Sequence, residues 1–162
     1  MTPPTRAVLA GIAGLAVAAV SAALVTQHVF DMQPCPWCVL QRLIFTLIAL
    51  VALAGLAWRS ALGQRSIVFG LLVLCSAGAT AALWQHFVAA LSNSCNLTLA
   101  DRIVSGSGLA RLLPEVFEAR ATCADAAVDL LGLPYEFWAL GLFVTIEAAA
   151  VWVLLKVNAA LR

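Results

Sequence analysis

Two cysteines stand three positions apart in the pentapeptide Pro-Cys-Pro-Trp-Cys at positions 34–38. Thiols at this spacing can close a small, reversible disulfide, and the motif often lowers the pKa of one of its thiols. Cys38 directly precedes a long apolar segment, and the free N–H groups at the start of a helix favour a thiolate. Arg42 follows four residues later, on the same helical face. These residues predict either a redox-active thiol pair or a static disulfide beside an arginine that extends to the membrane surface.

The other three cysteines are Cys75, Cys95 and Cys123. Cys75 lies in an apolar segment and is predicted to be a small buried side chain. Cys95 and Cys123 lie in a long polar segment. Because the total of five is odd, at least one cysteine is unpaired or pairs only transiently. A zinc site is the alternative, but Cys95 and Cys123 lack metal-ligand spacing and no histidine is near them, so no metal is predicted.

The composition excludes a soluble domain. Of 162 residues, 64% are hydrophobic and 10% are charged. Soluble domains are about 45–50% apolar and about 25% charged. The formal net charge of +1 offers no basic surface for nucleic acid. The chain is therefore predicted to be an integral membrane protein that contacts the lipid bilayer.

Four apolar stretches are long enough to cross a membrane, which takes about 20 residues. They cover residues 7–30, 39–58, 67–87 and 137–155. Since backbone polar groups in lipid must be bonded within their own segment, each stretch is predicted to be a helix. The first stretch exceeds the apolar core of a usual signal peptide, so we expect it to be retained. The predicted fold is an all-α, four-helix membrane bundle in a single domain over residues 1–162.

Basic residues orient such a bundle because they concentrate in its cytoplasmic segments. One set of segments holds basic residues and no acidic ones, namely Arg6, Arg59, Arg65, Lys156 and Arg162. Both termini are therefore predicted to be cytoplasmic, and the loops over about 31–38 and 88–136 to be periplasmic. Four of the five cysteines fall in these loops. Thiols in an oxidising compartment favour disulfides over a reduced metal cluster.

The long loop carries one helical pattern. Its apolar residues recur at helical spacing at Leu109, Leu112, Leu113, Val116 and Phe117. This pattern predicts a short amphipathic helix, broken or started at Pro114, that lies in the membrane interface or packs on the bundle. The preceding segment 105–108, Ser-Gly-Ser-Gly, is predicted to be a flexible joint.

Two ionisable residues in the apolar stretches have alternative interpretations. His86 is placed near the level of Cys38, where it either bonds a ligand carbonyl or caps backbone carbonyls. Glu147 lies near the middle of the fourth stretch. An acid at that depth is a functional candidate by default, but it also fits a protonated side chain bonded to a neighbouring helix.

The order of these motifs resembles the DsbB family of disulfide-bond-forming membrane proteins over residues 27–143. The matching segments are Gln27-His28-Val29, the Cys35/Cys38 pair with Arg42, Gln85-His86, Cys95, Pro114–Phe117, Cys123, Leu130–Leu133 and Trp138–Gly141.

The resemblance implies a quinone-linked thiol oxidase of the bacterial inner membrane. A reduced DsbA-like periplasmic protein of thioredoxin fold attacks Cys95 of a Cys95–Cys123 disulfide. Electrons then pass to Cys35 and Cys38 through a transient Cys35–Cys123 bond. Cys38 faces a quinone from the membrane pool, ubiquinone rather than menaquinone.

The resemblance also assigns residues around the quinone. Arg42 holds a quinone oxygen and stabilises the thiolate, and His86 lies near the ring. Two positions depart from the family pattern: Gln41 stands where a glutamate is common, and Pro36-Trp37 replaces an aliphatic pair. These departures leave the redox potential of the pair and any proton carrier at position 41 in doubt.

Three other functions fit the residues. A specialised paralogue has its own dedicated partner. A relative of vitamin K epoxide reductase has its Cys-x-x-Cys after the loop cysteines, whereas here it comes first. A non-catalytic membrane protein holds two static disulfides, and it predicts no bound quinone.

Overall fold

The computed structural model describes residues 3–58, 60–91 and 99–159. In chain order its elements are α1 (Pro3–Val29), α2 (Pro36–Ala57), α3 (Ala61–Trp84), a π-helical turn (Gln85–Ala89), α4 (Leu99–Ser107), α5 (Leu109–Leu112), α6 (Pro114–Phe117), β1 (Asp129–Leu130), β2 (Leu133–Pro134) and α7 (Tyr135–Ala159). The helices α1, α2, α3 and α7 are long and apolar enough to cross a membrane. The predicted all-α membrane bundle is confirmed.

The long helices begin earlier than the apolar stretches from which they were predicted. Helix α2 begins at Pro36. Proline suits this position because the first N–H groups of a helix have no partner within the helix, so the missing N–H costs nothing. Cys35 caps this helix by accepting the N–H of Cys38 on its sulfur. Cys38 therefore lies in the first turn of α2, and the loop predicted over 31–38 is shorter. Helix α3 begins at Ala61 after Ser60, whose hydroxyl accepts the N–H of Gly63.

The four long helices form a closed ring in the order α1, α2, α3, α7, with α7 against α1. Phe45 of α2 stacks on Phe143 of α7 with 4.0 Å between the ring centroids. Gly78 of α3 leaves room for this pair, since a Cβ there would lie 2.3 Å from the Phe143 ring. Close helix approach in the core therefore depends on that glycine.

The described part of the long loop, from residue 99 onward, contains three short helices, and the helical segment predicted over 109–117 is divided before Pro114 into α5 and α6, as its proline predicted. The helical geometry is interrupted at Leu113, whose φ of −136° and ψ of 67° are not helical. The cause is Pro114, because a proline disfavours helical geometry in the residue before it. Helix α6 packs on α2 with Phe117 buried, whereas Leu112 of α5 is exposed. Of the predicted apolar face, Leu109, Val116 and Phe117 thus pack against the core, whereas Leu112 and Leu113 are exposed.

The predicted flexible joint at 105–108 is wrong over its first three residues. These residues form the end of α4, a helix that also packs on α2 through its buried Ala100 and Val104. The apolar contact with the bundle outweighs the weak helix propensity of serine and glycine. Only Gly108 leaves helical geometry, with a φ of 72°.

A short β-hairpin with a two-residue turn precedes α7. Strands β1 and β2 pair antiparallel, and the two residues between them, Leu131 and Gly132, have φ values of 56° and 80°. Positive φ at both positions is the geometry of a type I′ turn. The indole of Trp138 donates a hydrogen bond to the carbonyl oxygen of Leu130, which fixes the hairpin to the start of α7.

Candidate active site

The two sulfurs of the Cys-x-x-Cys pair meet at the N-terminus of α2. Cys35 Sγ and Cys38 Sγ are 2.7 Å apart, and the Cys38 N–H lies 3.2 Å from Cys35 Sγ. Cys35 is fully buried, whereas Cys38 is partly buried. The helix start therefore brings the two thiols together without any long-range contact.

The long loop delivers a third sulfur to this pair. The Cys123 thiol forms a hydrogen bond with the thiol of Cys35 and accepts another from the backbone N–H of Trp37. The loop is held there by its backbone, because the N–H groups of Arg120 and Ala121 both donate to the carbonyl oxygen of Pro34. Cys35 thus lies between Cys123 and Cys38, and the three sulfurs form one continuous cluster.

The contact between Cys123 and Cys35 makes the two thiols unequal. The hydrogen bond from Cys35 lowers the pKa of Cys123, and the bond from the Trp37 N–H lowers it further. The pKa of Cys35 is raised by its hydrogen bonds with Cys123 and Cys38 and then by burial. Because the thiolate is the nucleophile in disulfide exchange, Cys123 is the more reactive of the two.

A cavity of about 650 Å³ opens beside Cys38. Its walls come from α1, α2, α7, the π-helical turn after α3 and the two loops that precede α2 and α7, and they are largely apolar. Thr26 of α1 and Tyr135 of α7, both in the lining, share a hydrogen bond of 3.0 Å between their hydroxyls. The volume falls within the range of small-molecule binding sites.

Arg42 lines the same cavity and is 5% exposed. Its guanidinium donates to the side-chain oxygen of Gln27 at 2.6 Å and to the carbonyl oxygens of Ala23 at 3.1 Å and Val116 at 3.2 Å. All of these acceptors are neutral amide oxygens. No carboxylate lies within 4 Å of this guanidinium in the described part of the chain. A buried cation in this environment is suited to a polar or anionic ligand.

Two glutamines at the sulfur cluster were not predicted as site residues. Gln85 Nε2 donates to Cys38 Sγ at 3.3 Å, and Gln85 Oε1 accepts from Gln41 Nε2 at 2.7 Å. Both side chains are buried and line the cavity. The signal available in the sequence was an amide at the end of an apolar stretch, where a polar side chain needs a partner.

His86 does not belong to the cavity lining. Its Nδ1 lies 2.6 Å from Oε1 of Glu136, which does line the cavity. The ring packs between Phe87 and Phe137. Glu136 thus lies at the cavity wall with His86 behind it, and the position of His86 near a quinone ring stays a prediction.

Cys75 and Glu147 lie apart from the cluster. Cys75 is fully buried in the bundle, and Glu147 accepts a hydrogen bond from Ser76 at 2.8 Å, which joins α7 to α3. Cys95 and Arg59 lie outside the described residues. Within residues 3–58, 60–91 and 99–159, no group of three or more His, Cys, Asp or Glu is arranged to hold a metal ion.

The fold and the thiol cluster define the class: a multi-pass membrane protein equipped for thiol–disulfide exchange. The sequence profile described as "Disulfide bond formation protein DsbB" matches residues 5–153. The chain therefore belongs to the DsbB family, and it is a thiol oxidoreductase of disulfide bond formation. This confirms the resemblance carried by the motifs between residues 27 and 143.

Several relatives share this similarity over most of their length. Disulfide bond formation protein B 1 of Pseudomonas syringae is 40% identical over 141 residues, which cover 85% of this chain and 80% of the relative. Disulfide bond formation protein B of Herminiimonas arsenicoxydans is 35% identical over 88% of this chain and 90% of its own length. The protein of the same name from Nitrosospira multiformis is 32% identical over 94% and 92%.

Proposed function

We propose that this protein is a membrane thiol oxidase that reoxidises a DsbA-like periplasmic protein and passes the electrons to a membrane quinone. In this proposal it lies in the bacterial inner membrane, with both termini in the cytoplasm and the sulfur cluster on the periplasmic side. The observation that carries the proposal is the contact of Cys123, Cys35 and Cys38 beside a cavity that Cys38 and Arg42 line.

The first exchange takes place in the loop. A thiolate of the reduced partner attacks Cys95 of a Cys95–Cys123 disulfide, and Cys123 leaves as a thiolate. Cys123 then attacks Cys35 of the Cys35–Cys38 disulfide, so that a Cys35–Cys123 bond forms and Cys38 leaves as a thiolate. The thiol contact between Cys123 and Cys35 and the lowered pKa of Cys123 support this order.

The second exchange restores the loop. The partner's other thiol releases Cys95 by forming the partner's own disulfide, and Cys95 then attacks Cys123 and frees Cys35. The two electrons of the partner dithiol now reside on Cys35 and Cys38. The Cys35–Cys38 pair is thereby ready to be reoxidised at the cavity.

The residues around the cavity fit a quinone. The largely apolar walls suit its ring, the uncompensated cation of Arg42 suits a carbonyl oxygen that gains negative charge, and Cys38 supplies the electrons. When bound, the quinone supplies a two-electron acceptor at lipid depth. Gln85 holds the Cys38 sulfur at the cavity wall, and Phe45 forms part of the apolar surface.

The test is a turnover assay on purified protein in detergent. Reduced DsbA and a soluble ubiquinone analogue are mixed with the protein, and thiol loss and quinone absorbance are followed together. We expect one quinone to be reduced per disulfide formed. Cys38→Ser should stop both signals, and Cys95→Ser should stop exchange with DsbA, while Cys75→Ala should leave the rate within about twofold, because Cys75 is buried away from the cavity.

Absence of turnover with both ubiquinone and menaquinone analogues would overturn the proposal. Mass-spectrometric mapping of the cysteines then distinguishes the two alternatives. Two disulfides that resist reduced DsbA indicate a static structural role, whereas disulfides that exchange with another periplasmic thiol protein indicate a paralogue with a dedicated partner.

A further inference from the structure

Glu136 is a buried acid at the cavity wall. It lies in the first turn of α7, is 4% exposed and lines the cavity beside Cys38. Its Oε1 is bonded to His86, but its Oε2 is buried and has no hydrogen-bond partner among the residues the structure describes. An unpaired buried carboxyl oxygen is costly, so its retention at a ligand cavity points to a partner that the ligand supplies.

His86 connects this acid to the surface. The histidine lies in the π-helical turn after α3, and its side chain is 32% exposed, whereas that of Glu136 is 4% exposed. Its Nδ1 approaches Glu136 Oε1 at 2.6 Å, and Phe87 and Phe137 hold the ring on either side. π-helical turns occur frequently at functional sites. The two side chains thus form a short path from the outer surface of the bundle to the cavity wall.

We propose that Glu136 donates a proton to the quinone bound in this cavity and that His86 returns the proton to Glu136 from solvent. The inference rests on the proposed function. Conversion of the Cys35 thiol and the Cys38 thiolate to the disulfide releases two electrons and one proton, whereas the quinone takes up two electrons and two protons. The Cys35 thiol supplies one of the two protons. Glu136 supplies the other from Oε2 and becomes a carboxylate. His86 Nδ1 then reprotonates Oε1, and a half-turn of the carboxyl group exchanges the two oxygens.

The other ionisable groups of the cavity lining do not suit this role. They are Asp31, Cys38, Arg42, Arg120, Asp125 and Tyr135. The two arginines stay protonated, and Cys38 is the electron donor. Asp31 and Asp125 are exposed and already accept bonds from Gln33 and Thr122.

The hydroxyl of Tyr135 is already hydrogen-bonded to the hydroxyl of Thr26. Gln41, which precedes Arg42 on α2, has an amide side chain with no transferable proton. Within the described lining, Glu136 is therefore the buried carboxylic acid that can donate.

The test compares matched glutamate substitutions in α7. Glu136→Gln keeps an oxygen that accepts from His86 and removes the transferable proton, and Glu136→Asp keeps the acid. Glu147→Gln is the control, since Glu147 is bonded to Ser76 and lies outside the cavity lining. Two quantities are measured: the single-turnover rate at which prereduced protein reduces a ubiquinone analogue, and the affinity for that analogue from quenching of tryptophan fluorescence.

We expect Glu136→Gln to slow the single turnover about 100-fold, the usual contribution of a positioned acid, with the affinity within about twofold. Glu136→Asp should recover most of the rate, and Glu147→Gln should match the wild type. An unchanged rate in Glu136→Gln, or a rate loss explained by an equal loss of affinity, overturns the proton-donor role. A wild-type protein that does not reduce the analogue overturns the proposed function instead.

A second variant keeps the inference testable if Glu136→Gln does not fold. His86→Ala leaves a space near the surface that free imidazole can fill. We expect this variant to reduce the ubiquinone analogue slowly, to bind it with unchanged affinity, and to recover its rate as imidazole is added. A slow rate that imidazole does not raise contradicts the path through His86.

Discussion

The Arg42 guanidinium donates a hydrogen bond to the carbonyl oxygen of Val116 and another to the side-chain oxygen of Gln27. Gln27 donates in turn to the carbonyl oxygen of Glu115. The cation that lines the cavity therefore also fastens the loop helix α6 to α1 and α2. Under the proposed function, quinone affinity and the order of the loop depend on the same side chain.

Arg42→Met is expected to weaken both functions of this side chain. The variant loses a cation from the cavity, and hydrogen bonds to a charged group contribute about 1.5–3 kcal/mol, so the KM for a ubiquinone analogue should rise about tenfold or more. The backbone amides of 115–117 should also exchange hydrogen faster, because α6 loses a bond to the bundle. Steady-state kinetics and hydrogen-exchange mass spectrometry measure the two effects.

Arg111→Gln serves as the control for Arg42→Met, since Arg111 is exposed on α5 and does not line the cavity. It should change neither quantity. An unchanged quinone KM in Arg42→Met would remove the arginine from the quinone site, whatever happens to the loop.

Alkylation of the reduced protein should show that the thiols of Cys123 and Cys35 react over different pH ranges. The hydrogen bond from Cys35 lowers the pKa of Cys123, whereas the pKa of Cys35 is raised. At a given pH Cys123 thus has the larger thiolate fraction, and iodoacetamide should modify it at lower pH than Cys35. In Cys35→Ala the donor is gone, so the midpoint of Cys123 labelling should move to higher pH.

The labelling is read peptide by peptide by mass spectrometry across a pH series. Cys38→Ala is the comparison, because it leaves the bond between Cys35 and Cys123 in place and should move the Cys123 midpoint less. Labelling of Cys35 at lower pH than Cys123 is incompatible with the arrangement described here.

Gln85→Met should slow the reaction of Cys38 with quinone. The amide donates to the Cys38 sulfur, and a hydrogen bond to a thiolate favours the reactive form. We expect a loss of about tenfold in the single-turnover rate, consistent with one bond to a charged group. Gln41→Met removes only the partner of Gln85 and should have a smaller effect. Equal rates in the two variants would mean that the contact with sulfur does not matter for turnover.

Gly78→Ala is expected to destabilise the bundle. The new Cβ would lie 2.3 Å from the Phe143 ring, so the stack of Phe143 on Phe45 must shift. Overpacking of this kind costs about 1–3 kcal/mol in the free energy of unfolding. Gly141→Ala is the matched control, since a Cβ there meets no atom within 4 Å. Thermal melting in detergent should show a lower Tm for Gly78→Ala alone.

The bundle itself was predictable because its signal is local and strong. Each long helix shows a run of apolar residues that no soluble element shares, and lipid permits few other structures for such a run. The break before Pro114 was predictable in position for a similar reason, since the restriction acts on the adjacent residue. Helix α4 was not predictable from the sequence, because its helical geometry over 105–107 comes from packing against α2 rather than from helix propensity.

The site was predictable only in part. The spacing of Cys38 and Arg42 predicted that they share one helix face, and both line the cavity, with Cys35 next to Cys38 at the helix start. The contact of Cys123 with Cys35 depends on backbone bonds between two distant loops, which no periodicity encodes. The pairing of Glu136 with His86 likewise joins two helices far apart in sequence, and nothing in the local pattern around Glu136 marks it as part of the cavity.

The two backbone bonds that Pro34 accepts from Arg120 and Ala121 have a kinetic consequence. They hold Cys123 against Cys35 at an effective concentration well above the millimolar value typical of a short flexible tether. In the proposed cycle, attack of the Cys123 thiolate on the Cys35–Cys38 disulfide is then unimolecular, and its rate does not depend on how much protein the membrane contains. The proposed cycle keeps two bimolecular steps, the arrival of the soluble partner and the arrival of the quinone, so the abundance of the partner sets the flux when the partner is scarce. Since main-chain atoms make both bonds, side chains at these positions can vary without changing this step.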